Sequence, residues 1–137
     1  MKNGFQLKTA NGTTIRFDYY TEVAPVTCKA FHNALPFETD FYHAKVSGEE
    51  IWTPNGLELH IAHENSTVFI EEGEIVLGPM HHRNKIPKTI GILYGEGKLL
   101  DCGNIFGKVK PEDLEILKKT GNDFWLNGKQ NIRFEAI

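Results

Sequence analysis

Phe41-Tyr-His-Ala-Lys-Val-Ser-Gly-Glu-Glu-Ile-Trp-Thr-Pro54 is the stretch whose reading decides the fold. It reads as a strand over residues 39–53, with Ser47-Gly48 as a bend or bulge. Strand side chains alternate between two faces, so an unbroken strand puts His43, Lys45, Ser47 and Glu49 on one side. A strand facing water needs no such choice of base, acid, hydroxyl and neighbouring indole (Trp52). A strand lining a pocket does.

Working outward, the N-terminal side holds a hairpin and a helix. Phe5 and Leu7 alternate in a first strand, Asn11-Gly12 turns, and Ile15, Phe17 and Tyr19 alternate in a second. Pro25 opens a helix whose apolar stripe is Ala30, Phe31, Ala34 and Leu35, and Pro36 ends it. On the C-terminal side, Pro54-Asn55-Gly56 turns, and residues 57–67 are irregular or briefly helical. Val68-Phe69-Ile70, Ile75-Val76-Leu77 and Ile90–Tyr94 are strand candidates, with a charged turn at Glu71–Glu74 and a long polar loop from Gly78 to Lys88. Asn104–Val109 is a further strand. Pro111 opens a second helix, with Glu112 and Asp113 in its first turn, Lys118 and Lys119 in its last, and Gly121 as its C-terminal cap. Asn127-Gly128 reads as a tight turn, and Ile132, Phe134 and Ala136 form the closing strand. Many short strands with two helices predict a mostly β protein, a closed β-barrel with two helices, and an open α+β sheet is the alternative.

The composition bounds the function. A chain of 137 residues, 40% hydrophobic and 24% charged, fits one domain over residues 1–137 with a core of its own. A net charge of −3 supplies no concentrated basic surface, which argues against nucleic acid as a partner. No apolar run reaches the length of a membrane span, and the opening residues lack an apolar signal region, so a cytoplasmic location is the default expectation. Cys28 and Cys102 make no disulfide framework. Cys28 reads as a small core residue, and Cys102, flanked by glycine, as the more accessible thiol.

Several patches carry a family resemblance. Ala24-Pro-Val-Thr-Cys-Lys-Ala-Phe31 resembles the start of the first cyclophilin helix. Ile105-Phe-Gly-Lys-Val109 with Pro111–Lys119 resembles the late cyclophilin strand and the helix after it. A closer similarity is to a cyclophilin-like family of unknown function, the DUF3830 type. It rests on Leu35-Pro-Phe37, His43–Glu49, Trp52-Thr-Pro54, Glu72-Gly-Glu-Ile75, Tyr94-Gly95 and Gly103-Asn-Ile-Phe106. The resemblance implies a cyclophilin-like closed β-barrel. It does not carry prolyl isomerase activity. Cyclophilin isomerases place an Arg just after a Phe-His pair, whereas Phe41-Tyr-His-Ala-Lys-Val here offers only Lys45, which lacks the planar fork.

The candidate site residues each have a plainer reading. His43 and Glu49 form either a catalytic acid–base pair or a strand-face ion pair. Trp52 is a rim aromatic, or a wall that raises the pKa of Glu49 by desolvation. Met80-His-His-Arg-Asn-Lys85, with His81, His82 and Arg83, is a solvated basic loop or the receiver of an anionic ligand. Tyr94 either opens onto a pocket mouth or anchors the barrel rim, and Asn104, after Gly103, either meets a ligand or starts a strand. His60-x-x-His63 lacks the glutamate and third ligand of a zinc hydrolase, so neither metal nor cofactor is assigned.

The leading expectation is binding of a small polar metabolite or short peptide in a barrel-side pocket built on His43, Lys45, Glu49, Trp52, Tyr94 and Asn104, with the 80–88 loop closing over it. Hydrolysis or isomerisation of a small amide or cyclic imide by His43 and Glu49 is the enzymatic alternative, and weak prolyl isomerisation a third. Phe124, Trp125 and the last strand are candidates for a homo-oligomer contact.

Overall fold

In the computed structural model, residues 3–137 are described. Nine strands and two α-helices follow the order β1 (Gly4–Thr9), β2 (Thr14–Tyr19), α1 (Pro25–Asn33), β3 (Phe37–His43), β4 (Gly48–Thr53), β5 (Ser66–Thr67), β6 (Glu74–Leu77), β7 (Ile90–Gly97), β8 (Gly103–Val109), α2 (Leu114–Asn127) and β9 (Gln130–Ala136). The strands pair in the order β2-β1-β9-β3-β4-β7-β6-β8, and β8 returns to β2. Eight antiparallel strands therefore close into a barrel, with the two-residue β5 attached outside to β8. Closure leaves these eight strands no free edge.

Alternation decides what fills the barrel. Phe5 and Leu7, Ile15 and Phe17, Ile51, Ile75 and Leu77, Ile90 and Ile92, Phe106, and Ile132 and Phe134 meet inside as one buried cluster. Phenylalanine does much of the filling: Phe5 stacks on Phe17 at 5.0 Å between centroids, and Phe31 of α1 reaches Phe106 at 4.8 Å. The next residue along several of these strands points out. Val76, Leu93 and Ile105 form a second cluster on the outer face with Ile70 and Leu99, covered by the segment that follows β7. That covered outer face positions the cavity described below.

Three local expectations are corrected. Residues 39–53 are not one strand. The chain leaves β3 at His43, makes a 3-10 turn over Lys45–Ser47, and re-enters the sheet at Gly48, whose φ of 114° only glycine adopts readily. Pairing with β7 then shifts register between Gly48 and Glu50. Val68–Ile70 lie outside any strand, because the chain pairs with β8 only at Ser66 and Thr67 before turning away. Helix α2 does not stop at Gly121. It runs on to Asn127, and Gly128, read from the sequence as part of a tight turn, ends the helix with φ of 87°.

Gly121 has a packing reason instead. It lies where α2 crosses Tyr94, and a Cβ there would overlap the tyrosine ring. Helix propensity alone predicts that Gly121→Ala gains about 1 kcal/mol. The overlap reverses the sign: we expect a loss of about 1–3 kcal/mol in chemical denaturation. A stabilised variant would show that the helix does not depend on this close approach.

Candidate functional site

The turn at residues 44–48 sets the site. Ile51 and Thr53 point into the barrel, so Glu50 and Trp52 point out, onto the face shared with Gly91 of β7 and Val76 of β6. A cavity of about 350 Å³ sits on this face, within the size range of ligand pockets. Its walls come from the 44–47 turn, from Asn84, Ile86 and Thr89 of the 78–89 loop, and from residues 99–103 after β7. Two backbone bonds hold the walls in place, Lys98 N–H to Ser47 O and Leu99 N–H to Val68 O, both 2.9 Å. Asn84 pins the loop from the other side. It donates to Cys102 O at 2.8 Å, and its Oδ1 meets His63 Nε2 at 2.7 Å.

Glu50 is the chemically distinctive residue of the cavity. It is 7% exposed, and burial pushes its carboxyl up to about 7, with the Ser47 hydroxyl pulling in the opposite direction. Gly91 makes the room, since a Cβ there would overlap the carboxyl. Ser47 Oγ contacts both Glu50 Oε1 and Ala44 O, the latter at 3.0 Å. A serine hydroxyl carries one proton, and the Ala44 carbonyl can only accept. Both contacts are satisfied together when Glu50 is neutral: its O–H donates to Ser47, and Ser47 donates to Ala44 O. When Glu50 is ionised Ser47 donates to it instead, the direction in which the hydroxyl lowers the carboxyl's pKa against the larger effect of burial.

The residues singled out in the sequence divide among four places. Trp52 and Lys45 line the cavity with Glu50, and His43 borders it. His43, Lys45, Glu49 and Tyr94 share a neighbouring cleft of about 340 Å³ with Trp125 of α2. There His43 Nε2 bonds the Tyr94 hydroxyl at 2.5 Å, and Lys45 Nζ lies 4.0 Å over the Trp125 ring. Burial first, then the nearby Lys45, lowers the His43 pKa, while burial and then Glu49 raise that of Tyr94. His43 makes no hydrogen bond to Glu49, and His43 Nδ1 is buried without a partner. Glu49 is exposed and turned away from Trp52, so the carboxyl beside the indole is that of Glu50.

Asn104 is fully buried in structural contacts. It donates to Thr27 Oγ1 at 3.1 Å and Ala62 O at 3.0 Å, and accepts from the Glu64 N–H. His81 and His82 stack on each other, and with Arg83 they lie outside the cavity lining. The 80–88 loop thus meets the 43–52 segment around one cavity, through Asn84 and Ile86 rather than its basic residues. Of the aromatic pair near the end of α2, Phe124 is buried and Trp125 exposed. No cluster of metal-ligating side chains occurs among the described residues, and no described helix is long and apolar enough to cross a membrane.

Comparison with known proteins gives the fold a family. The family described as a protein of unknown function, DUF3830, matches residues 8–136. No curated protein matches the chain. Among solved structures, McbB in complex with tryptophan is similar with a TM-score of 0.70 and 18% identity, over 96% of this chain and 44% of McbB. The chain thus spans less than half the length of McbB. The hypothetical protein AF2241 from Archaeoglobus fulgidus is similar with a TM-score of 0.64 and 19% identity, over 99% of this chain and 95% of that one. At these identities the likeness is one of fold.

The burial of Glu50 has a measurable consequence for stability. Its carboxyl rises from 4.5 to about 7 on folding. Below the lower value both folded and unfolded chains hold the proton and there is no cost. As pH rises the unfolded chain ionises first, so folding loses stability until the folded carboxyl ionises too, a full cost of about 3 kcal/mol. Glu50→Gln removes this cost. The stability difference between variant and wild type should grow in the variant's favour between about pH 4.5 and 7, then level off. A difference that stays constant across that window, in denaturation at a series of pH values, would contradict the assignment.

Proposed function

The chain belongs to the DUF3830 family, whose function is unknown, and from the site itself we propose that it binds a small amphipathic molecule in the cavity over Glu50. One observation carries the reading: a carboxyl buried in a mainly apolar cavity, with a single side-chain partner. Burying such a group costs stability, and costs of this kind concentrate at functional sites. The apolar walls, among them Trp52, Val76, Ile86 and Leu99, suit the body of a ligand, and the carboxyl fixes its orientation. McbB, whose fold this chain shares in part, is a protein solved with a small amphipathic molecule, tryptophan.

The other readings have less support. Amide hydrolysis by His43 and Glu49 needs the two in hydrogen-bond contact, and His43 bonds Tyr94 instead. Prolyl isomerisation needs a guanidinium facing the bound peptide, and no arginine lines the cavity.

Cys102 provides the test. It lines the cavity and is partly exposed, whereas Cys28 is fully buried with its thiol pushed up to about 12 by burial. Alkylation should therefore label Cys102 selectively. A set of small amines, alcohols, acids and dipeptides, L-tryptophan included, is screened by thermal shift. Compounds that stabilise the protein should slow the alkylation of Cys102, and alkylated protein should lose the response. Stabilising compounds that leave the alkylation rate unchanged would place binding elsewhere.

A further inference from the structure

Glu50 has no cation. Among the described residues it takes part in none of the ion pairs, and its side-chain hydrogen bonding is to Ser47 alone. The other ionisable groups around the cavity do not supply one. Lys45, from the turn, lies with its ammonium over Trp125. His43, at the end of β3, is held by Tyr94 and kept toward its neutral form. From the segment after β7 come the Cys102 thiol and a second carboxylate, Asp101, which accepts from Lys85 N–H at 2.8 Å. β6 and β7 contribute Val76, Ile90 and Gly91, and the 78–89 loop contributes Asn84, Ile86 and Thr89, none of them charged.

The cavity thus presents two acids and one lysine already engaged, inside apolar walls. An anionic ligand would face both carboxyls. A neutral ligand would leave Glu50 either uncharged or uncompensated. A cation would pair with it through charge-assisted hydrogen bonds, about twice as strong as neutral ones. Resting on the binding reading above, we propose that the ligand is a small primary amine or guanidine with an apolar body, whose cation meets Glu50 at the cavity floor. The mouth fits that body. Val46, Leu100 and Ile86 stand at the rim 72%, 70% and 46% exposed, and an apolar chain or ring emerging from the floor would cover them.

Such binding is coupled to a proton. Glu50 gives up its proton when the cation arrives, and the proton passes to solvent. Ser47 then turns its hydroxyl from Ala44 O to the new carboxylate. Below neutrality the cation competes with the proton, so amine affinity rises with pH and levels off once Glu50 is already ionised.

The test uses three matched series: hexylamine, 2-phenylethylamine and tryptamine, each with its alcohol and its carboxylic acid counterpart, titrated calorimetrically from pH 5 to 8.5. The expected result is that at least one amine binds at least tenfold more tightly than its alcohol and acid at pH 8. Its affinity should rise about tenfold per pH unit below pH 7 and flatten above. In buffers of different ionisation heat at pH 6, close to one proton should be released per amine bound. Glu50→Gln, shown folded by circular dichroism, should abolish the amine preference, and the wild-type pH profile stands without the variant. Amines and alcohols that bind alike, or amine affinity independent of pH, would overturn the inference while leaving the binding reading intact. No binding by any member of the three series would retire both.

Discussion

Glu50 is held out of water at the foot of a covered barrel wall, and the account of the site rests on that desolvation. The carboxyl lies against Gly91, is bonded by Ser47, and is roofed by the 78–89 and 99–103 segments. A buried carboxyl without a cation keeps its proton to a higher pH than an exposed one. A neutral Glu50 can donate to Ser47 while Ser47 donates to Ala44 O, so the contacts of Ser47 accommodate the acid form.

The barrel makes this arrangement rigid. Closure of eight strands fixes which face of β4 and β7 looks outward, and the phenylalanine-rich interior leaves no freedom to change it. The outer face then carries the cavity of the candidate site, and loops wall it in. This is the usual division of labour between scaffold and function. The same turn that frees Ser47 to reach Glu50 also sends Glu49 toward Tyr94 and Gly95, so two adjacent glutamates serve different clefts.

Much of the fold was legible in the sequence. Asn11-Gly12, the alternation of Ile15, Phe17 and Tyr19, and Pro25 marked real elements, because each rests on local backbone chemistry. Elements decided by tertiary contact were not legible. Gly121 reads as a helix cap until Tyr94 is seen packed against it, and Val68–Ile70 are apolar enough for a strand that has no partner there. Of the candidate site, the 41–54 stretch forms one side of the cavity and Trp52 lines it, while the carboxyl that shares the cavity is Glu50 and Glu49 lies in the neighbouring cleft. The spacing carries a signal for this: Trp52 and Glu50 are two apart and share a strand face, while Trp52 and Glu49 cannot. Putting Glu49 on the same face as His43 and Lys45 needs a strand unbroken through Ser47-Gly48, and the 3-10 turn and register shift there end that alternation. Asn104 looked like a ligand contact from its glycine neighbour, yet its amide is consumed in holding Thr27 and Ala62.

The protonation of Glu50 can be observed directly. In protein labelled with carbon-13 at the glutamate carboxyls, with Glu50→Gln assigning the resonance, an NMR titration follows this one group. The account predicts a midpoint near 7. A midpoint near 4.5, the value of a carboxyl in water, would show that Glu50 is solvated and ionised, and the acid form and the site built on it would fall with it.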